Sequence, residues 1–190
     1  SDPYSSSKVS CEHLFSSYMH SFFKNRFNQR LATVRAGNVI GGGDYAKNRL
    51  FPDLSKIINN NKVISIRNPK STRPWQHVLD CIRGYLLTSK FCDLKNISFS
   101  SWNFSPSYRS MTVKEVINLL IDKKIINEKQ VRFRTNFVKE SLYLNLDSRK
   151  VKKYVGFKNK FSFKMAVTET ILLYLKIDKY KKNHFLLSKS

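Results

Sequence analysis

The chain has 190 residues, of which 41% are hydrophobic, and this composition is typical of a folded globular protein rather than a disordered one. It contains no run of about 18 apolar residues, so the sequence predicts no membrane-spanning helix. The 35 basic side chains outnumber the 13 acidic ones and give a net charge of +22. Because the 24 lysines are spread along the chain, the charge favours a solvated surface over a nucleic-acid-binding patch. The same positive field suits a small anion such as a nucleotide diphosphate.

The cysteines and histidines give no metal or disulfide pattern. Cys11, Cys81 and Cys92 are odd in number and form no Cys-x-x-Cys pair, which predicts reduced thiols in a cytoplasmic protein. His13 and His20 lie close in sequence without a further ligand nearby, so we expect no bound metal. The polar opening residues lack the basic start and apolar core of a signal peptide.

Apolar periodicity and turn residues predict alternating helices and strands. In chain order, we expect a helix over residues 3–26, a strand over 31–40, a short helix over 53–60, a strand over 62–66, a helix over 78–91, a strand over 102–104, a helix that opens with a capping box at 112–115, a strand over 131–135, and helices over 147–154 and 162–176. The helix over 78–91 carries Val78, Ile82, Tyr85, Leu86 and Ser89 on one face, which we expect to be the buried stripe. The alternation indicates an α/β fold.

A tyrosine and a lysine four residues apart stand near the start of the first predicted helix. Tyr4 and Lys8 would share one face of that helix. An ammonium beside a phenol favours the phenolate, which can take a proton from an alcohol. About one such pair is expected by chance in a chain of this composition, and Tyr154 and Lys158 form a second, so the spacing alone does not identify a catalytic pair.

Two further segments carry groups suited to phosphate. The strand over 31–40 ends in Gly41-Gly42-Gly43-Asp44, with Asn38 just before. Such a loop offers backbone N–H groups to phosphate oxygens, although a tight turn explains the glycines equally well. The second segment contains Arg73, whose planar guanidinium matches two phosphate oxygens. Trp75 fits either base stacking or the protein core, and we expect His77 to be a structural hydrogen-bonding residue.

Seven segments in one order carry a resemblance to a known family. They are residues 4–8, 35–44, 49–53, 66–69, 73–78, 102–104 and 143–147. The words Arg-Ala-Gly-Asn-Val-Ile-Gly-Gly-Gly-Asp and Arg-Pro-Trp-Gln-His-Val are the most specific of these. Together the segments resemble the CDP-glucose 4,6-dehydratases, which are extended short-chain dehydrogenase/reductases, over residues 2 to about 176. Ser105 and Tyr45 stand where that family usually has glycine and tryptophan.

The resemblance implies a role for individual residues. Tyr4 would be the active-site base, and Lys8 would be its partner and hold the nicotinamide ribose of NAD. Ala36, Gly37 and Asn38 would line the floor near the nicotinamide and the sugar diphosphate. The substrate-binding residues would be Asn38, Arg49, Leu50, Arg73, Glu140 and Tyr143. The first helix would form a homodimer interface.

The resemblance also implies the fold, the domain organisation and the reaction. We expect residues 1–45 to be the final part of an NAD-binding Rossmann domain, residues 46–177 a substrate-binding α/β region, and 178–190 a basic tail. The glycine fingerprint of the dinucleotide-binding half does not occur in these 190 residues, so we expect the C-terminal part of such an enzyme, inactive alone. The reaction would convert CDP-glucose to CDP-4-keto-6-deoxyglucose in deoxysugar biosynthesis. The alternatives are a non-catalytic basic module that binds nucleic acid, and an epimerase or reductase of another nucleotide sugar.

Overall fold

The computed structural model describes residues 3–23, 30–46, 49–60, 62–134 and 143–187 as an α/β protein. The helices are α1 (Pro3–Tyr18), α2 (Leu50–Asn59), α3 (Val78–Leu94), α4 (Val113–Asp122), α5 (Arg149–Val155) and α6 (Phe163–Leu187), with a π-helical turn at Met19–Phe23 and a 3-10 turn at Glu128–Gln130. The strands are β1 (Leu31–Ala36), β2 (Val39–Ile40), β3 (Ile64–Arg67), β4 (Thr72–Arg73), β5 (Gln76–His77), β6 (Phe99–Phe104), β7 (Met111–Thr112) and β8 (Val131–Arg134). This confirms the predicted fold class.

The chain divides into two compact units, and each is built from three separate segments. Unit 1 comprises Ser1–Ala36, Ile82–Phe104 and Asp147–Phe157, and unit 2 comprises Gly37–Cys81, Ser105–Leu146 and Lys158–Ser190. Among the described residues we find no helical segment that combines the length and the apolar character of a membrane span.

Unit 1 contains the parallel strand pair β1 and β6, with Leu31 opposite Phe99 and Ala36 opposite Phe104. Alternate residues of β6 are buried, namely Ser100, Trp102 and Phe104. The core of the unit is an aromatic cluster, formed by Cys92, Trp102, Phe104, Val151 and Phe157. Gly84 of α3 faces this cluster, because a Cβ built there would lie 2.5 Å from the Phe104 ring.

The predicted stripe of α3 is not the buried face of that helix. Ile82 and Leu86 are 48% and 67% exposed, whereas the small residues Gly84, Thr88 and Cys92 are buried. The approach of the Phe104 ring to Gly84 explains this, because a large side chain on that face would displace the aromatic cluster. The prediction followed the larger apolar residues and therefore selected the wrong side.

Unit 2 contains three short strand pairs. β2 pairs with β5 and β3 with β8, both in parallel, and β4 pairs antiparallel to β7. A large apolar core joins α2, α4 and α6 to β3, and its fully buried members include Leu54, Ile117, Leu120, Ile171 and Tyr174. The predicted capping box is confirmed: the Thr112 side chain accepts from the backbone N–H of Glu115, whose carboxylate accepts from that of Thr112.

Several predicted elements have different bounds in the structure, and two of these differences are large. The expected strand over 31–40 is two strands, because the chain turns at Gly37, where a Cβ would lie 2.4 Å from the Pro74 ring, and β2 then pairs with β5. The last helix does not end near Lys176 but continues to Leu187. Its sequence contains no glycine or proline that would stop it.

The first predicted helix is α-helical only to Tyr18 and continues as the π-helical turn to Phe23. Asp2, which we expected to cap this helix, and the last expected helical residues, 24–26, lie outside the described residues.

Candidate functional site

Helix α1 brings Tyr4 and Lys8 together on one face of unit 1. The ammonium nitrogen of Lys8 lies 5.2 Å from the centroid of the Tyr4 ring. Tyr4 is 72% exposed, so its hydroxyl is accessible to a ligand. The pair therefore has the arrangement that the four-residue spacing predicted.

A polar network on the next turns of α1 connects this helix to the two strands of unit 1. The Glu12 carboxylate accepts hydrogen bonds of 2.9 Å from the hydroxyls of Thr33 on β1 and Ser101 on β6. The Arg35 guanidinium lies 3.5 Å from the same carboxylate and donates to the Asn103 amide oxygen at 3.0 Å. Glu12 was not predicted from the sequence, although it follows Lys8 by four residues and so lies on the Tyr4 face of the helix.

The predicted residues at the end of β1 belong to two different units. Ala36 is the last residue of β1 in unit 1, where it is opposite Phe104. Gly37 and Asn38 begin unit 2. The Asn38 carbonyl accepts a 2.9 Å hydrogen bond from the backbone N–H of Gln76, which fixes the start of β2.

Unit 2 contains a cavity of about 870 Å³. The predicted substrate-binding residues Asn38, Arg49, Leu50 and Arg73 all line it. Its charged lining residues are Arg49, Lys56, Arg67, Arg73, Asp44 and Asp53. Four cations against two carboxylates make the cavity suitable for an anionic ligand, since guanidinium groups bind phosphate through two parallel hydrogen bonds.

The loop that carries Asp44, one of the two carboxylates in the cavity lining, is fixed by α6. The hydroxyl of Tyr174, a buried residue, donates to the Asp44 carbonyl at 2.6 Å and accepts from the Asp44 backbone N–H at 3.1 Å. Burial raises the pKa of Tyr174, so its hydroxyl remains protonated and able to donate. The Asp44 carboxylate in turn lies 3.2 Å from the Arg49 guanidinium and orients it. Sequence analysis missed Tyr174, because it lies 130 residues from Asp44.

Arg73 and Tyr143 lie on adjacent segments, but only Arg73 is among the described residues that line the cavity. Arg73 donates to the Thr72 carbonyl at 3.0 Å and lines the cavity. Tyr143 forms a parallel bridge with Thr72, is 63% exposed, and is not among the described residues that line the cavity. Glu140 lies outside the described residues.

Trp75 and His77 are both buried. Trp75 is 5% exposed, and its indole N–H donates to the Met111 carbonyl at 3.0 Å, which confirms the core position. Trp75 also lines the cavity of unit 2, so base stacking stays a prediction. The His77 ring stacks on Phe161 with centroids 4.0 Å apart. Burial lowers the pKa of His77, and its Nδ1 accepts from the Leu79 backbone N–H at 3.3 Å. The expectation of a structural hydrogen-bonding histidine is confirmed.

A buried carboxylate that sequence analysis missed stands at the start of α3. Asp80 is 1% exposed and accepts from the backbone N–H groups of Lys160 at 2.9 Å and Phe161 at 3.1 Å. The Asn159 amide also donates to it at 3.3 Å. Burial together with the charge of Asp80 raises the pKa of the neighbouring Cys81 thiol to about 12. Asp80 therefore holds the loop before α6 in place.

Comparisons with known proteins give consistent matches. The family model described as GDP-mannose 4,6 dehydratase matches residues 1–170. A CDP-glucose 4,6-dehydratase from Salmonella typhimurium is 37% identical over 176 residues, which are 90% of this chain and 48% of that protein. A dTDP-D-glucose 4,6-dehydratase from Dictyostelium discoideum is 29% identical over 127 residues, which are 66% of this chain and 26% of that protein.

Solved structures show the same fold at lower identity. A dTDP-glucose 4,6-dehydratase from Bacillus anthracis in complex with NAD superposes with a TM-score of 0.77 at 20% identity, over 95% of this chain and 54% of that chain. A UDP-glucuronic acid 4-epimerase from Bacillus cereus, in complex with UDP-glucuronic acid and NAD, gives a TM-score of 0.78 at 20% identity, over 93% and 53%. The chain thus spans about half the length of the CDP-glucose 4,6-dehydratase and of these two solved structures.

Proposed function

We propose that this chain forms the nucleotide-sugar-binding part of an NAD-dependent 4,6-dehydratase, since it belongs to the family that the GDP-mannose 4,6 dehydratase model describes. CDP-glucose is the substrate that we infer, since the relative with 37% identity is a CDP-glucose 4,6-dehydratase. The observation that carries the proposal is the cavity of unit 2, which Asn38, Arg49, Leu50 and Arg73 all line.

The charge and size of the cavity agree with a nucleotide diphosphate. A sugar nucleotide carries two adjacent phosphates, and Arg49 and Arg73 are able to bind them through charge-assisted hydrogen bonds. Lys56 and Arg67 add positive charge to the same lining. A volume of about 870 Å³ lies in the range of small-molecule sites.

Unit 1 supplies the groups suited to proton transfer and to a ribose. The exposed phenol of Tyr4 and the ammonium of Lys8, 5.2 Å from its ring, form a donor set that fits the hydroxyls of a nicotinamide ribose. NAD, when bound, supplies the hydride acceptor for oxidation of the sugar C4 carbon. In this proposal Tyr4 removes the proton from the C4 hydroxyl, and Lys8 stabilises the phenolate that accepts it. Glu12 holds α1 against β1 and β6 and so positions the pair.

Helix α1 is also the surface that we propose for a homodimer. Leu14, Tyr18 and Phe22 are each at least half exposed and follow one another at four-residue spacing along α1 and the turn after it. An exposed apolar surface of this kind is typical of protein interfaces. Sedimentation equilibrium of the wild-type chain and of a Leu14→Glu variant tests this, with a concentration-dependent dimer expected for the wild type alone.

The central experiment is calorimetric titration of the chain with CDP-glucose. We expect Arg49→Met and Arg73→Met each to weaken binding by about ten- to a hundredfold, since hydrogen bonds to charged groups contribute about 1.5–3 kcal/mol. Arg149→Met is the matched control, because Arg149 is also exposed and paired with one aspartate, Asp147, but belongs to unit 1. It should change the affinity less than about twofold.

Other nucleotide sugars and nucleic acid separate the alternatives in the same assay. Tighter binding of UDP-, GDP- or dTDP-glucose than of CDP-glucose would point to another nucleotide-sugar enzyme. Binding of unrelated DNA that falls steeply with salt, without binding of CDP-glucose, would support the nucleic-acid module and contradict the proposal.

A further inference from the structure

The glycine loop after β2, residues 41–45, lies directly against α6. A Cβ built at Gly42 would lie 2.3 Å from Cδ2 of Leu173, so glycine is what permits the loop to approach the helix this closely. The Tyr45 ring stands edge-on to the Tyr174 ring, with centroids 5.9 Å apart. Both contacts are made with adjacent residues of α6, so the glycine loop is attached to a single turn of that helix.

Tyr174 fixes the backbone of Asp44 in this loop. Its hydroxyl donates to the Asp44 carbonyl at 2.6 Å and accepts from the Asp44 N–H at 3.1 Å. A tyrosine hydroxyl has a single proton. Because the Asp44 carbonyl takes that proton, Tyr174 has none to donate to a phosphate oxygen. Tyr174 is also 0% exposed, which keeps its hydroxyl away from a ligand. Any effect of this hydroxyl on a ligand therefore passes through Asp44.

The side chain of Asp44 is held in place as well as its backbone. Its Oδ1 accepts a 3.0 Å hydrogen bond from the Ala46 N–H, and its Oδ2 lies 3.2 Å from Nη1 of Arg49. Arg49 lines the cavity, and its side chain is 64% exposed. A long exposed side chain loses rotamer freedom when it binds a ligand, and a neighbour that already holds it reduces that loss. Asp44 thus presents the Arg49 guanidinium before a ligand arrives.

Resting on the proposed function, we propose that Tyr174 is a positioning residue for the diphosphate: through Asp44, its hydroxyl holds the Arg49 guanidinium where the phosphates bind. Without the hydroxyl, the Asp44 backbone loses both bonds to α6, and its carboxylate no longer has a fixed place. Arg49 then has to be ordered by the ligand itself, which weakens binding. The loss is smaller than that caused by removal of the guanidinium, because the charge of Arg49 remains.

A double-mutant cycle, measured by calorimetric titration with cytidine diphosphate, tests this inference. Tyr174→Phe keeps the ring and should weaken binding about three- to tenfold, the effect of ordering one long side chain. In the Arg49→Met chain the same change should alter the affinity less than about twofold, because no guanidinium remains to be positioned. Thr170→Val is the matched control. Thr170 is buried on α6, and its hydroxyl donates to the Ala166 carbonyl at 2.7 Å, so its loss should leave the affinity unchanged.

Each other outcome is decisive. If Tyr174→Phe weakens binding equally in the wild-type and the Arg49→Met chains, the hydroxyl does not act through Arg49 and the inference is wrong. If Thr170→Val weakens binding as much as Tyr174→Phe does, loss of any buried hydroxyl of α6 has this effect, and the inference is again wrong. Wild-type binding that is unaffected by Tyr174→Phe contradicts the inference alone. If the wild-type chain does not bind cytidine diphosphate at all, the proposed function fails together with the inference.

Discussion

Replacement of the buried Asp80 tests how the loop before α6 is held. The carboxylate accepts from the backbone N–H groups of Lys160 and Phe161 at 2.9 and 3.1 Å, and from the Asn159 side chain at 3.3 Å. Asp80→Ala leaves the two backbone donors without this acceptor, while the partly exposed Asn159 can turn to water. At about 1.5–3 kcal/mol for each of these two hydrogen bonds to a charged group, we expect a loss of about 3–6 kcal/mol in the free energy of unfolding.

Asp80→Asn is the more conservative variant and keeps the loss measurable. Asparagine retains one acceptor oxygen, so one backbone donor remains bonded, and we expect a loss of about 1–3 kcal/mol. The assay is urea unfolding followed by the fluorescence of Trp75 and Trp102, both of which are buried, with linear extrapolation to water. Asp93→Ala on the exposed side of α3 is the control, with an expected change within about 0.5 kcal/mol.

Two results would refute this reasoning. A loss below about 1 kcal/mol for Asp80→Ala, comparable to that of Asp93→Ala, would show that the backbone donors find other acceptors. Equal losses for the alanine and asparagine variants would show that the charge at residue 80 matters, since both variants lose it, rather than the number of acceptor oxygens.

Three further predictions concern the other local arrangements. Gly84→Ala should lower the free energy of unfolding, measured in urea, by about 1–2 kcal/mol, because overpacking of the aromatic cluster outweighs the gain of about 1 kcal/mol in helix propensity. Ser89→Ala, at an exposed position of the same helix, should not destabilise the protein. A Gly84→Ala variant that is more stable than the wild type would contradict the packing. Thr112→Ala should cost about 1 kcal/mol. The hydrogen bond from Arg109 lowers the pKa of Glu115, the partner of Thr112 in the cap, to about 2. The stabilising contribution of Glu115 is therefore complete above pH 4.5 and is lost as the pH falls towards 2. Thermal unfolding across that range measures the loss, and a midpoint that does not respond would be evidence against the cap. The Cys81 thiol, with its pKa raised to about 12, should react with a disulfide reagent at pH 8 only after unfolding. The exposed Cys11 should be the one thiol that reacts in the native chain, and rapid modification of Cys81, located by peptide mass mapping, would show that it is not buried.

Local signals in the sequence were sufficient for part of this fold. The capping box at Thr112 needs only a serine or threonine and a glutamate three residues later, and the structure contains it as predicted. The break between β1 and β2 was not predictable in this way, because it depends on the approach of Gly37 to Pro74. The buried face of α3 likewise depends on the Phe104 ring, which comes 20 residues after Gly84 in the sequence.

The residues of the candidate site likewise fall into two groups: those predicted from local motifs and those that depend on the fold. Arg49 and Arg73 were found from motif words, and the structure places both in the lining of one cavity. Tyr174 was missed, because a tyrosine becomes informative only once its burial and hydrogen bonds are known.

The interleaving of the two units determines the order in which the chain can fold during synthesis. β1 pairs with β6, whose residues follow 68 positions later, and the aromatic cluster of unit 1 is complete only with Val151 and Phe157. The apolar core of unit 2 is likewise complete only with the residues of α6. The aromatic cluster of unit 1 therefore cannot form before Phe157 has been synthesised, and β1 cannot pair with β6 before β6 has left the exit tunnel. Such late, long-range pairing slows folding and exposes a strand edge to other nascent chains, so production of this protein should be unusually sensitive to the supply of chaperones.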